Sequence, residues 1–286
     1  PPQNTKRVSV EGSEGEVWEQ LASFNERLPG MISSFEREGP TVSPEEAERL
    51  FGKDFLGQKA IEKVFGLRLE TEDIPFSRAE LERAKELGQQ LIYKIDVMDK
   101  EDIAADITDR DVHITLENLR EYFLRAHDGE KVFYSHGSDD FWYKDEDFFK
   151  KEKPRTGWRL TSKDLIPNST SKNYIEQTDV LIEHLQNTVF KGMELPKQYA
   201  DAIAEFNRKR AEIKPLAESS TDAEWKKGSQ MLANLAITRL VRELPVEVMY
   251  RLVLTDQQNK DKQLPATYTW TAGRTSGGYL VDVGSF

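Results

Sequence analysis

The densest run of chemically capable residues is Ser138 to Phe149, where five acids interleave with five aromatics. Asp139, Asp140, Asp145, Glu146 and Asp147 offer carboxylate oxygens, the ligand type a hard divalent cation takes. His136, in the turn just before them, is the best-placed general base, because imidazole titrates near neutrality. One reading is therefore a metal-dependent hydrolase, with His136, Asp139 and Asp140 catalytic and Asp139, Asp145 and Asp147 holding the metal. The spacing opposes it. A calcium loop needs acids at alternate positions, then glycine, then a distant glutamate. Lys144, Lys150, Lys151 and Lys153 also lie close enough to neutralise much of the charge. A hairpin with aromatics inward and charges outward accounts for the same residues without chemistry.

The second candidate is the run Thr267 to Phe286, where charge nearly vanishes and β-branched, aromatic and glycine residues take over. Tyr268, Trp270, Arg274 and Tyr279 are the residue types that dominate binding hot spots. Ser276-Gly277-Gly278 reads as the turn of a hairpin, since glycine tolerates positive φ. On its second arm Tyr279, Val281 and Val283 alternate with Leu280 and Asp282. The competing reading has these aromatics closing a small core over the helices.

Other chemistries find little support. There is no cysteine, so disulfides, thiolate metal sites and cysteine nucleophiles are excluded. No GxSxG elbow, Walker lysine loop or GxGxxG is present. The histidines His113, His127, His136 and His184 form no metal-binding pair in sequence. The acids from Asp96 to Asp111 recur without glycine or alternation and read as a solvated segment. No cofactor is expected. The net charge of −11 disfavours a nucleic-acid partner, whose affinity rests on phosphate neutralisation. Arg208-Lys209-Arg210 with Lys214, Lys226 and Lys227 is the main basic concentration, and a nucleic-acid reading needs it to form one face. No run is apolar for long enough to span a membrane. The polar start, Pro1 to Arg7, has no apolar signal core, and the expected compartment is the cytoplasm.

Helix-start signals position these candidates. Ser13 with Glu16, Ser77 with Glu80 and Thr221 with Glu224 have the capping-box form, and Ser43 is followed by Pro44 at the first helical position. Apolar or small residues then recur at helical spacing: Leu81, Ala84, Gly88, Leu91 and Ile92 after Ser77, and Leu232, Leu235, Ala236 and Leu240 after Thr221. Further helices are expected from Asn173, with a stop near Gly192, over 197–216 until Pro215, and from Pro245. Strands are expected at 131–134, 140–143 and 158–161. The fold class is α+β, mostly helical, with a small antiparallel sheet in the middle, a helical bundle after it and a terminal β-hairpin. The segments are an arm and helix over 1–43, a helical region with the sheet over 44–166, the bundle over 167–264 and the hairpin over 265–286.

Three runs carry a resemblance: Gly157-Trp158-Arg159-Leu160, Pro167 to Tyr174, and Tyr268-Thr269-Trp270-Thr271. Over roughly residues 44 to 286 the chain resembles a family of uncharacterised bacterial proteins from candidate-phylum genomes. The resemblance brings no activity. It implies a tail similar to the end of a C-type-lectin-like ligand-binding domain. The preferred reading is a non-catalytic interaction protein whose β-rich tail recognises a protein or small ligand.

Overall fold

Small side-chain caps decide where three of the helices begin. In the computed structural model, Ser43 starts α1 (Pro44–Phe51), and its Oγ accepts from the Glu46 amide at 3.2 Å. Glu46 reaches back to the Ser43 amide at 3.2 Å. Ser77 and Glu80 repeat the exchange at α3 (Arg78–Glu86), and Asn173 and Glu176 at α6 (Tyr174–His184). Each box satisfies amides that no helical carbonyl reaches. The structure describes residues 42–67, 69, 71–97, 113–126, 141–264 and 267–284, without the side chains of 124–126. The Ser13 cap, the strand at 131–134 and most of the 96–111 acids lie outside them.

The remaining helices are α2 (Gln58–Phe65), α4 (Leu116–Ala126), α5 (Asp147–Lys150), α7 (Lys197–Ala217), α8 (Asp222–Asn234), α9 (Ala236–Val241) and α10 (Pro245–Asn259). The strands are β1 (Phe55–Leu56), β2 (Gln89–Lys94), β3 (Gly157–Ser162), β4 (Tyr268–Arg274) and β5 (Leu280–Gly284). The fold is α+β and mostly helical, with a three-stranded sheet and a terminal hairpin.

Four local expectations are corrected. The stripe after Ser77 is not one helix. Gly88 takes φ +68 just past α3 and turns the chain, so Leu91 and Ile92 lie in β2, fully buried. The middle sheet is mixed: β1 runs parallel to β2, and β3 antiparallel to it. Residues 142–145 form a turn rather than a strand, leading into α5. Finally, the stripe after Thr221 breaks at Leu235, whose extended backbone (ψ 139) separates α8 from α9. Thr221 makes no side-chain cap, and the reciprocal half of the box goes to Ser219, whose hydroxyl accepts from the Thr221 amide at 3.1 Å and donates to Glu224 at 2.6 Å.

Two cores result. The first joins α1, α2, β2, α4 and the aromatics Phe141, Phe148, Phe149 and Trp158 to Val246, Tyr250, Val253 and Leu254 of α10. The rings of Phe65 and Tyr250 stack at 5.4 Å, and the Tyr250 hydroxyl donates to the Tyr93 carbonyl at 3.1 Å. The second core gathers the apolar faces of α6, α7 and α8 with Leu235 and Ile237. Val281 of β5 belongs to the first core, so packing runs across the segment boundaries at 167 and 265. The described residues lie within one compact unit, Thr41–Phe286.

Candidate functional site

The hairpin forms where the sequence places it. Thr275 N donates to Tyr279 O at 2.9 Å, Gly278 N donates to Thr275 O at 2.8 Å, and Gly278 takes φ +85. Its turn is held from both sides. Ser276 donates through its amide and its hydroxyl to Glu146, at 2.6 and 3.0 Å. On α8, Ser229 Oγ donates to Gly278 O at 2.6 Å and accepts from Arg274 Nε at 3.0 Å. Thus the two regions singled out in the sequence, the acidic run and the tail, meet at the turn.

A cleft of about 330 Å³ opens beneath that junction. Asp147 of α5, Glu152, Gln230 of α8, Arg239 of α9, and Arg274 and Ser276 of the hairpin are among its walls. Glu152 is its most perturbed group. Burial, and then the nearby Glu247 carboxylate, push its carboxyl up to about 7 against the pull of Arg155. Its Oε2 is buried with no hydrogen-bond partner. A carboxyl that titrates near neutrality inside a cleft can give or take a proton or a hydrogen bond there.

The four predicted tail residues divide. Trp270 and Arg274 come together on one ring: Trp270 stacks on Tyr174 at 6.2 Å, and the Arg274 guanidinium sits 4.7 Å from the same ring centre. Arg242 lies over that ring too, at 4.0 Å. Tyr279 stands apart at the turn end, 60 % exposed and 4.9 Å from Trp225 of α8. Tyr268 is equally exposed at the opposite end of β4, paired with Gly284.

The predicted metal ligands divide as well. His136, Asp139 and Asp140 lie outside the described residues. Asp145 pairs with Lys150 at 2.7 Å, which holds its carboxyl below the usual range, and Asp147 pairs with Lys151 at 2.8 Å. Among the described residues no three histidine or acidic side chains are grouped to hold a metal ion. The basic concentration is partly spent: Lys209 pairs with Glu205 at 2.8 Å, and Arg210 with Asp179 through two hydrogen bonds.

Sequence reasoning missed a buried ion network beside the cleft. Lys94 of β2 is 1 % exposed and donates to Glu243 at 2.8 Å. Glu243 also takes two hydrogen bonds from Arg251, each 3.0 Å. Arg155 meets Glu247 through Nε at 2.9 Å and Nη2 at 2.6 Å. Burial alone would raise the Glu247 carboxyl, but Lys94 and Arg155 outweigh it and hold it at about 2. The spacing Glu243, Glu247, Arg251 is i, i+4, i+8. That pattern is as common on solvated helices, so only the apolar residues around it hint at burial.

Among the described residues no helix is long and apolar enough to cross a membrane. No family model, curated protein or solved structure matches the chain.

Proposed function

We propose that the protein is a non-catalytic binding protein and that its terminal hairpin presents the recognition surface to a protein or small ligand. The observation that carries this reading is the display of tyrosine on a pinned scaffold. Tyr268 and Tyr279 are 60 % exposed, although the turn between the strands is clasped by Glu146 and Ser229. An aromatic ring held on a rigid strand gives up little entropy when it is covered, which is why such residues serve as anchors. Trp225 extends the surface at the Tyr279 end. Pairing of Arg210 and Lys209 with acids supports a protein or small-molecule partner over nucleic acid.

The test is a peptide and glycan array probed with the wild type and with the double variant Tyr268→Ala, Tyr279→Ala. Ligands kept by the wild type and lost by a variant of unchanged melting temperature support the reading. Equal binding of every ligand by both proteins, or no ligand bound by the wild type, overturns it.

A further inference from the structure

Two guanidinium groups share the Tyr174 ring, and neither meets a carboxylate among the described residues. Arg242 is 6 % exposed. It donates to Gln177 Oε1, to Thr178 Oγ1 at 3.3 Å and to the Trp270 carbonyl at 3.5 Å, all neutral acceptors. Its Nε is buried without a partner, and so is the Tyr174 hydroxyl. Arg274 is similar. Its Nε donates to Ser229 Oγ and its Nη1 to the carbonyls of Ala272 and Gly273, while Nη2 donates to no described residue. The proximity of Arg274 adds to burial in pulling the Arg242 guanidinium below its usual range. By contrast, Arg155, Arg210 and Arg251 each hold a carboxylate within 3.0 Å.

A buried cation without a counter-ion is costly unless something else supplies the negative charge. Arg274 lines the cleft, so an anion can reach its guanidinium from solvent, whereas Arg242, on the same Tyr174 ring, is not part of the cleft wall. Asp147 does not fill the role, since Lys151 already holds it at 2.8 Å. Glu152 lines the same cleft with its Oε2 unpartnered.

We propose that the cleft binds a small oxyanion, the carboxylate or phosphate group of a small organic molecule. Arg274 is its ion-pairing residue, and Glu152 is the neighbouring wall residue whose charge modulates the binding. The volume of about 330 Å³ suits a metabolite-sized ligand and not a polymer. The charged groups around Glu152 are Asp147 on α5, Arg155 before β3, Glu247 on α10, and Arg239 and Arg274 across the cleft. Because its carboxyl titrates at about 7, a charge that repels the anion appears as pH rises through neutrality. The inference goes beyond the proposed hairpin surface: it stands on the cleft and not on the exposed tyrosines, which do not line it.

Isothermal titration with sulfate tests it, since sulfate keeps its charge through the neutral range. Ionic strength is held constant with sodium chloride, and acetate is a second probe that separates planar from tetrahedral anions. Saturable one-to-one binding of at least one probe is expected. Affinity is expected to fall about tenfold between about pH 6 and about pH 8. Arg274→Gln abolishes binding, and Arg274→Lys retains part of it. Glu152→Gln binds with a flat pH profile. Tyr279→Ala binds as the wild type, which separates this site from the hairpin surface. The proposal is overturned if neither anion binds saturably, if Arg274→Gln binds like the wild type, or if wild-type affinity is independent of pH. If Arg274→Gln does not fold, the pH profiles of the wild type and Glu152→Gln decide.

Discussion

Arg251 and Arg242 are the same residue type at nearly the same depth, 4 % and 6 % exposed, yet their surroundings are opposite. Arg251 sits on α10 in a closed network, with Glu243 on two of its nitrogens and Gln263 on the third. Gln263 passes the chain of bonds to Gln90 on β2. Arg242 lies over Tyr174 with neutral acceptors and one idle nitrogen, next to a second cation. The difference separates structure from function. A buried charge whose partners are all supplied by the fold fixes the relative placement of elements. A buried charge left without a counter-ion fixes nothing in this way, and the second cation on its ring, Arg274, lines an open cleft where something the chain does not itself provide can meet it.

The largest expected effect comes from making one substitution in both places. Arg251→Met strands the Glu243 carboxylate in the interior and is expected to cost about 3–5 kcal/mol. Arg242→Met removes an uncompensated charge and keeps an aliphatic, polarisable chain over the Tyr174 ring, so the expected change is below about 1 kcal/mol in either direction. Urea unfolding midpoints of the two variants measure the contrast, and equal losses would break it. Acid gives an independent check on the network. Glu247 is held at about 2, so its stabilisation is present above about pH 4.5 and is lost as pH falls toward 2.

How much of this the sequence discloses follows from the range of the interactions. Capping boxes at Ser43, Ser77 and Asn173 are local, so residues three apart announce them. The hairpin turn at Ser276-Gly277-Gly278 is equally local. The break after Glu86 was harder, because Leu91 and Ile92 continue the helical stripe and only the positive φ at Gly88 diverts them. At Thr221 the box does not close, because Ser219, two residues before it, takes both the glutamate and the Thr221 amide. The network was illegible for a different reason. Lys94, Arg155 and the Glu243–Glu247 pair are far apart in the chain and of types usually solvated, and the end of β2 and the segment before β3 meet them at the start of α10. The same holds for Glu152. Within Lys151-Glu152-Lys153 it looks like an ordinary surface acid, and only tertiary burial pushes its carboxyl up. Of the predicted site, Arg274 and Asp147 do line the cleft, but nothing in their spacing joins them across 127 positions.

Glu152 lies between the two regions, feeling Glu247 and Arg155 from one and lining the other, and it offers the next largest effect. Below about pH 4.5 the carboxyl is neutral whether the chain is folded or not. Between 4.5 and about 7 it ionises readily only when unfolded, so its contribution to stability is lost as pH rises through that window. Glu152→Gln is neutral throughout. It is expected to leave stability at about pH 4 unchanged and to raise it near pH 8 by roughly 2–3 kcal/mol. Thermal unfolding at the two pH values decides. A gain of the same size at both would mean that the substitution acts through packing and not through charge.

The smallest effect tests the clasp that joins acidic run to hairpin. Glu146 is partly exposed, so its two hydrogen bonds to Ser276 compete with water. Glu146→Ala is expected to cost only about 1 kcal/mol in global stability, since Ser229 still holds the turn from the α8 side. Its local effect is larger in kind. Without Glu146 the cleft loses the contact that sets Ser276 against α5, and amide exchange at Ser276 and Gly278 is expected to speed up while the core strand β2 stays protected. Unchanged exchange at the turn would show that α8 alone positions the hairpin. The acidic run would then contribute Asp147 to the cleft wall and nothing to the placement of Arg274.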